Sequence, residues 1–325
     1  MNVIELSLKE GEKIATLSDI HADSKAPPSR VDDILETLID KLEDVRKKCV
    51  ERNVKHLFLQ GDICNRVQMP FVVINRLGTE FNKFRESGIE LYSILGNHDI
   101  VRNSIENIEK SPTQTLFTFG CVWHINLNTR VIINRKVMIT PVDYTETPPK
   151  ADERAKVNIL LAHMFYDIGK LLDDGKHNIT TDMVKELGYD VMVLGHDHEP
   201  HPMMIQDNTL ILRCGSLLRG TSHDYNFNRE PKFLVFNDLD NISQKTIEEV
   251  VIKHRKYEDI ASSYVLNKKK LSNISGLQDV LSNLAERLSE GSEVDGDRIL
   301  DIINTDEDLP NDCRALLLKY ISENV

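Results

Sequence analysis

The stretch VMVLGHDHEP, residues 191–200, sets four apolar residues and a glycine directly against two histidines separated by one aspartate. A short apolar run bounded by polar residues reads as a buried strand. In an open α/β sheet, ligands bind at the carboxyl ends of the strands. A His-x-His triplet alone is more often a solvated turn, so the reading depends on whether other strands end the same way.

They do. KIATLS (13–18) runs into Asp19 and His21, and VKHLFLQ (54–60) into Gly61 and Asp62. IELYSIL (89–95) is followed by Gly96, Asn97, His98 and Asp99, and VNILLA (157–162) by His163. With His196 and His198, five strands deliver Asp, Asn or His side chains at one sheet edge. Val31, Ile34, Leu35, Leu38, Leu42 and Val45 recur at helical spacing, which predicts a helix over 30–52 with one apolar face. A second helix is predicted over 70–87, with Pro70 near its start and Gly88 just beyond its end. This β-α-β-α-β order implies a largely parallel sheet with right-handed crossovers. The later runs RVIINRKVMITPV (130–142), TLILRC (209–214) and KFLVFN (232–237) predict a second sheet with antiparallel strands. The expected fold class is therefore α/β, a two-sheet β-sandwich flanked by helices, over residues 1–252. A linker is expected over 253–276, and a small helical module over 277–325, with turns at Gly291 and Pro310. So short a module buries little surface alone, which points to docking on a partner.

The composition is that of a soluble globular chain, 40% hydrophobic and 28% charged. No apolar run is long enough to span a membrane, and MNVIELSLKEGEK lacks the apolar core of a signal peptide. The expected address is the cytoplasm, or the host cytoplasm for a phage-encoded chain. The five cysteines are scattered and never spaced C-x-x-C, which argues for reduced thiols. Cys64 and Cys214 are expected as buried small hydrophobes and Trp123 as part of the core or a satellite of it. The net charge of −12 is unevenly spread. Residues 271–325 hold 12 acidic and four basic side chains, a net of −8, which leaves the preceding 270 residues at only −4. The body is thus close to neutral, and bound divalent ions would turn its cleft positive.

Mixed carboxylate, amide and imidazole donors without thiolate suit two hard-to-borderline divalent ions. Asp62 is expected to bridge them, with a hydroxide between the ions as nucleophile. The series D-x-H, GD, GNHD, a lone H and GHDH, in this order and spacing, resembles the calcineurin-like metallophosphoesterase superfamily over about residues 13–200. The resemblance implies that Asp19, His21, Asp62 and His198 hold one metal, and Asp62, Asn97, His163 and His196 the other. Mn²⁺ is the expected ion, with Fe²⁺, Zn²⁺ or Mg²⁺ as alternatives. It further implies that His98 is no ligand but contacts the phosphate or protonates the leaving oxygen, with Asp99 in support.

TLILRCGSLLRGTSHDYNFNREPKFLVF, residues 209–236, looks like the strand and loop that follow the last metal motif in the double-strand-break repair nucleases, the branch of SbcD and small phage recombination endonuclease subunits. That likeness implies exonuclease and single-strand endonuclease activity on DNA. It also implies a partner: an SbcC-like, SMC-type coiled-coil ATPase bound through the C-terminal helical segment. A homodimer through the helices at 30–52 and 70–87 is a further expectation, and no membrane association is expected. Arg219 is a candidate phosphate contact. The chain departs from the branch at Asn65, where relatives carry His or Asp; an Asn beside the acid histidine would bring less negative charge to it. Arg66 matches an Arg of the protein phosphatases, so a phosphomonoesterase acting on phosphoproteins or nucleotides is the alternative function. A vestigial, non-enzymatic site is the third reading.

Overall fold

A computed structural model of the chain describes residues 2–101, 105–167 and 178–272, together with positions 300, 303, 304, 314 and 318. The module expected over 277–325 lies outside the described residues apart from those positions. The chain divides into two compact units, one of Met1–Ala26, Asp33–Arg219 and Asn228–Arg255, the other of Pro27–Asp32, Gly220–Phe227 and Lys256–Val325. No helix among the described residues is long and apolar enough to cross a membrane.

The first unit is an α/β sandwich of two main sheets. One sheet begins with β2 (Lys13–Leu17), β3 (Val54–Leu59), β4 (Glu90–Ser93) and β5 (Trp123–His124), all parallel. Helices α1 (Ile34–Glu51) and α2 (Phe71–Glu86) make the first two crossovers, and α3 (Pro112–Thr118) precedes β5. The second sheet runs in the order β1 (Asn2–Leu6), β6 (Thr129–Ile133), β7 (Val137–Val142), β8 (Val157–His163), β11 (Val191–Gly195), β13 (Thr209–Leu212) and β12 (Met204–Gln206). Two short strands, β9 (Phe165–Asp167) and β10 (Asn178–Thr180), form a separate parallel pair, followed by α4 (Thr181–Leu187).

Strand alternation sorts the core into layers, because successive side chains point to opposite faces. Ile14, Phe58 and Tyr92 from one sheet meet Ile159, Leu161, Val191 and Val193 from the other in the middle of the sandwich. Their neighbours Ala15, Leu57 and Leu59 face outward onto Leu38, Leu42 and Val45 of α1 and Leu77 and Phe81 of α2. Leu160, Ala162, Met192 and Leu194 face the opposite way, onto Val184 and Leu187 of α4. Strands apolar on both faces therefore belong in a four-layer arrangement.

The second sheet carries the expected antiparallel pairs, β6–β7 and β12–β13, within a mostly parallel array in which β7, β8, β11 and β13 run the same way. Three expectations need correction. The segment KFLVF forms β14 (Lys232–Phe236), which joins the first sheet antiparallel to β2 and carries β15 (Ile247–Val251) outside it. Apolar pattern identifies a strand but not its neighbour. Trp123 is 54% exposed on edge strand β5, its indole N–H donating to Glu90. The first helix also begins later than its periodicity suggests. Asp33 caps it, accepting from the Leu35 and Glu36 amides, and Val31 lies before the cap, 68% exposed.

In the second unit, described by itself, Tyr257, Ile260, Ala261 and Val265 pack with Phe227 and Leu266. Its segments are tied by an Arg30–Ala261 antiparallel bridge and by the Tyr257 hydroxyl donating to the Thr221 carbonyl at 2.7 Å. The helix Ser263–Ser272 falls within the stretch expected as a linker.

Candidate metal centre

The loops at the carboxyl ends of β2, β3, β4, β8 and β11 bring the motif residues together. Asp19, His21, Asp62 and His198 offer ligand atoms within 4.8 Å of one another, and so do Asp62, His163 and His196. Asp62 is common to both groups, and the two histidines of GHDH divide between them. Asn97 joins the second group, its Oδ1 lying 3.1 Å from His163 Nε2.

The backbone is bent to achieve this. Asp19, His21, Asp62 and His196 have φ of +46°, +48°, +50° and +81°, the left-handed region that non-glycine residues avoid. Each such residue costs roughly 1–3 kcal/mol and persists only where its surroundings over-determine it. Here the His21 and Ala22 amides donate to the Asp62 and Ile63 carbonyls at 2.9 Å, and the Leu217 amide donates to the Asp19 carbonyl at 3.0 Å. The loops zip to each other, not to solvent. Glycine is required where they touch: a Cβ on Gly96 would sit 2.0 Å from Asp62 Oδ1, and one on Gly195 would sit 2.6 Å from the Gln60 carbonyl oxygen.

Two of the ligand candidates, His163 and Asp62, are held from behind. The His163 ring donates from Nδ1 to the Gln60 carbonyl at 2.7 Å, which turns Nε2 into the site. Asp62 Oδ1 accepts the His98 amide at 2.8 Å. Asp62 Oδ2 is buried and takes no properly directed hydrogen bond among the described residues, lying 3.3 Å from His163 Nε2 and 3.5 Å from His21 Nε2. The Nε2 atoms of His21 and His198 converge to 2.8 Å. Asp99 is fully buried and accepts the amides of Ile63, Cys64 and Gly96 and the Thr113 hydroxyl, which locks two of the motif loops together.

Charge follows from this crowding. Burial opposes the Asp62 carboxylate, yet the imidazoles of His163 and His21 outweigh it and hold the carboxyl well below the usual range. Burial likewise opposes protonated His163, but Asp62 and Asp19 win and push it up to about 9. His198 is pulled down to about 4 by burial and by His21. Burial, with Asp62 nearby, raises the Asp99 carboxyl. Converging imidazole nitrogens around a buried carboxylate oxygen without a directed partner form the donor set that a pair of divalent cations would satisfy.

His98 stands beside this set, its ring edge-on to His21 at 4.8 Å between centroids. Its Nδ1 donates at 2.6 Å to the backbone carbonyl of Asn65, not to the Asn65 side chain. That side chain instead donates to Asp23 at 3.0 Å, and Arg66 donates to the same carboxylate at 2.8 Å. The acceptor that His98 Nδ1 meets is thus a neutral backbone carbonyl, and the carboxylate of this corner is Asp23, paired with Asn65 and Arg66. Sequence reading missed Asp23, although it continues the alternation Asp19-x-His21-x-Asp23 past the end of β2. It missed Phe165 and Tyr144 as well, whose rings lie 4.1 Å and 5.4 Å from that of His196. Arg219 is 2% exposed and its guanidinium donates to the Arg255 carbonyl. Cys64 and Cys214 are buried, and burial holds the Cys214 thiol up at about 12.

A family model described as calcineurin-like phosphoesterase matches residues 12–200, more than half of the chain. No curated protein matches it. Among solved structures, the chain is similar to TT1561 of Thermus thermophilus, with 11% identity over 74% of this chain and 99% of that one and a TM-score of 0.46. It is also similar to a dimetal phosphatase from Danio rerio, with 9% identity over 75% of this chain and 100% of that one and a TM-score of 0.48.

Proposed function

The chain belongs to the calcineurin-like phosphoesterase family, and on that premise we propose that it is a two-metal phosphodiesterase that cleaves DNA, the nuclease subunit of a recombination or repair complex. The observation that carries the hydrolytic reading is Asp62 Oδ2, buried between His163 Nε2 and His21 Nε2 and common to both ligand groups. Asp19, His21 and His198 would complete one ion's donors, and Asn97, His163 and His196 the other's. Mn²⁺ suits this mixture of oxygen and imidazole nitrogen. Bound there, the ions supply positive charge that attracts a phosphodiester and lowers the pKa of a water.

The remaining work falls to the chain. Because His98 commits Nδ1 to the Asn65 carbonyl, Nε2 is the nitrogen left to contact the phosphate or pass a proton to the leaving oxygen. The Arg66 side chain, 44% exposed although paired with Asp23, offers N–H groups to a flanking phosphate. DNA as substrate is supported by the likeness of the Gly215–Ser216 loop to that of the repair nucleases. In this chain Arg229 caps the loop, donating to the Ser216 and Leu218 carbonyls at 2.7 Å, and Leu217 is tied to the Asp19 backbone. An SMC-type ATPase is the proposed partner, and the net charge of −8 over 271–325 suits a basic surface on it.

The test is a side-by-side assay in Mn²⁺ of single- and double-stranded DNA, bis(p-nitrophenyl) phosphate and p-nitrophenyl phosphate, with Asp62→Ala as the blank. Cleavage of DNA and diester that vanishes in the blank, with little monoester turnover, is expected. Strong monoester hydrolysis with intact DNA would move the chain to the phosphomonoesterases.

A further inference from the structure

We propose that Asp23 is a positioning residue for His98, acting through the loop at Asn65 and Arg66. The proposal rests on the reading of His98 as the group that meets the leaving oxygen. Asp23 is 4% exposed, and every hydrogen bond given to its carboxylate serves to fix a loop. Oδ1 accepts the amides of Ser24 at 2.8 Å and Lys25 at 3.1 Å, which holds the carboxylate in place on its own turn. Across the gap, Arg66 donates to Oδ1 at 2.8 Å and Asn65 Nδ2 donates to Oδ2 at 3.0 Å. Two consecutive side chains are thus gripped by one carboxylate, and one of those bonds is charge-assisted on both sides.

The peptide that leaves Asn65 is the one whose carbonyl accepts from His98 Nδ1 at 2.6 Å. The peptide that enters Asn65 is anchored too, its amide donating to the Ala22 carbonyl at 3.0 Å, one residue before Asp23. The chain around Asn65 is consequently held by its amide and its side chain against residues 22 and 23, and its carbonyl is aimed at the imidazole. Releasing the side-chain grip frees the Asn65–Arg66 peptide to rotate, and the imidazole loses the acceptor that sets its orientation. The carboxylate does not touch His98, so its influence passes through backbone geometry.

The experiment compares Asp23→Ala, Asn65→Ala, His98→Ala and the Asp23→Ala/His98→Ala double variant on two diesters. One is bis(p-nitrophenyl) phosphate, whose leaving group departs without a proton. The other is a dinucleotide, whose alkoxide needs one. General acids contribute about 10²–10⁴-fold. Asp23→Ala should lose at least about tenfold on the dinucleotide and under about threefold on the nitrophenyl diester, a small part of that contribution. Asn65→Ala, which keeps the backbone carbonyl and removes one arm of the grip, should fall between Asp23→Ala and wild type, and it serves should Asp23→Ala fail to fold. Adding Asp23→Ala to His98→Ala should cost nothing more. As a signature independent of turnover, the hydrogen-bonded His98 Nδ1–H proton, recorded by NMR in diamagnetic Mg²⁺ buffer and assigned by its loss in His98→Ala, should exchange faster in Asp23→Ala. Equal losses on both diesters, or additivity with His98→Ala, would overturn the role of Asp23 alone. A His98→Ala enzyme that does not distinguish the two diesters would remove the reading of His98 and this proposal with it.

Discussion

Gly96→Ala isolates the geometry of the site from its chemistry, because it adds one methyl and removes no ligand. The backbone at Gly96 has φ −92°, which alanine adopts freely, so no strain is imposed there. The new Cβ would instead lie 2.0 Å from Asp62 Oδ1, 2.5 Å from the Asp62 amide nitrogen and 2.6 Å from Cγ. Carbon does not approach oxygen or nitrogen so closely, so the carboxylate must retreat by on the order of 1 Å and the Asp62 backbone must shift with it. A misplacement of that size in a catalytic constellation costs about 10²-fold in rate. The retreat also breaks the His98 amide bond to Oδ1, now 2.8 Å, a bond to a charged group worth roughly 1.5–3 kcal/mol. Overpacking costs about 1–3 kcal/mol, within the stability of an ordinary domain, so the variant should still fold. The assay pairs bis(p-nitrophenyl) phosphate turnover with Mn²⁺ affinity by calorimetry. Gly78→Ala is the control: in α2 its Cβ meets nothing closer than the Cys121 sulfur at 3.6 Å, and helix propensity should raise stability by about 0.5–1 kcal/mol. A Gly96→Ala protein with wild-type turnover and wild-type Mn²⁺ affinity would refute the close packing of the GNHD loop on Asp62.

Three further outcomes are expected. Asp33→Ala removes the acceptor of the Leu35 and Glu36 amides at the start of α1 and should lower stability by about 1 kcal/mol in urea denaturation, with turnover of the folded enzyme unchanged. In chelator-treated protein His163 is held up at about 9, above its ordinary 6.5, so its pairing with Asp62 and Asp19 stabilises the fold fully below pH 6.5 and loses that contribution as pH rises through about 9. A metal must displace that proton, so Mn²⁺ binding should release protons near neutral pH and tighten as pH rises. Calorimetry in two buffers of different ionisation enthalpy reads this directly, and identical heats in both would contradict it. Trp123, the single tryptophan, should be as open to acrylamide quenching as its exposed edge position implies, and Trp123→Phe should change stability by less than about 0.5 kcal/mol.

Much of the sandwich and of its site could be read from residue order, for a physical reason. Strands buried on both faces are continuous apolar runs, and the polar residues that end them stand out against that background. Asp19, Asp62, Asn97, His163 and His196 are each the first Asp, Asn or His after such a run. Pairing was less legible. β14 has the same apolar character as β13, and only the tertiary packing sends one to the first sheet and the other to the second. NVIEL, two residues from the start of the chain, pairs in parallel with a strand more than 120 residues away, which no local pattern encodes. Trp123 illustrates the limit of composition, since a large ring can cover an edge strand as readily as fill a core. Around His98 the sequence supplied the right neighbour and the wrong atom. Asn65 does face His98, but through its carbonyl, while its side chain turns to Asp23. Backbone groups carry no residue identity, so a contact made by one leaves no mark in the sequence.

The central claim is that Asp62 is the carboxylate shared by two ions, and the most direct measurement is Mn²⁺ stoichiometry by calorimetry with electron paramagnetic resonance on the same loaded protein. Two Mn²⁺ per chain are predicted, with the spectrum of an exchange-coupled pair in wild type and loss of that coupling in Asp62→Ala. One Mn²⁺ per chain, or two whose spectra are uncoupled and unaffected by Asp62→Ala, would contradict it.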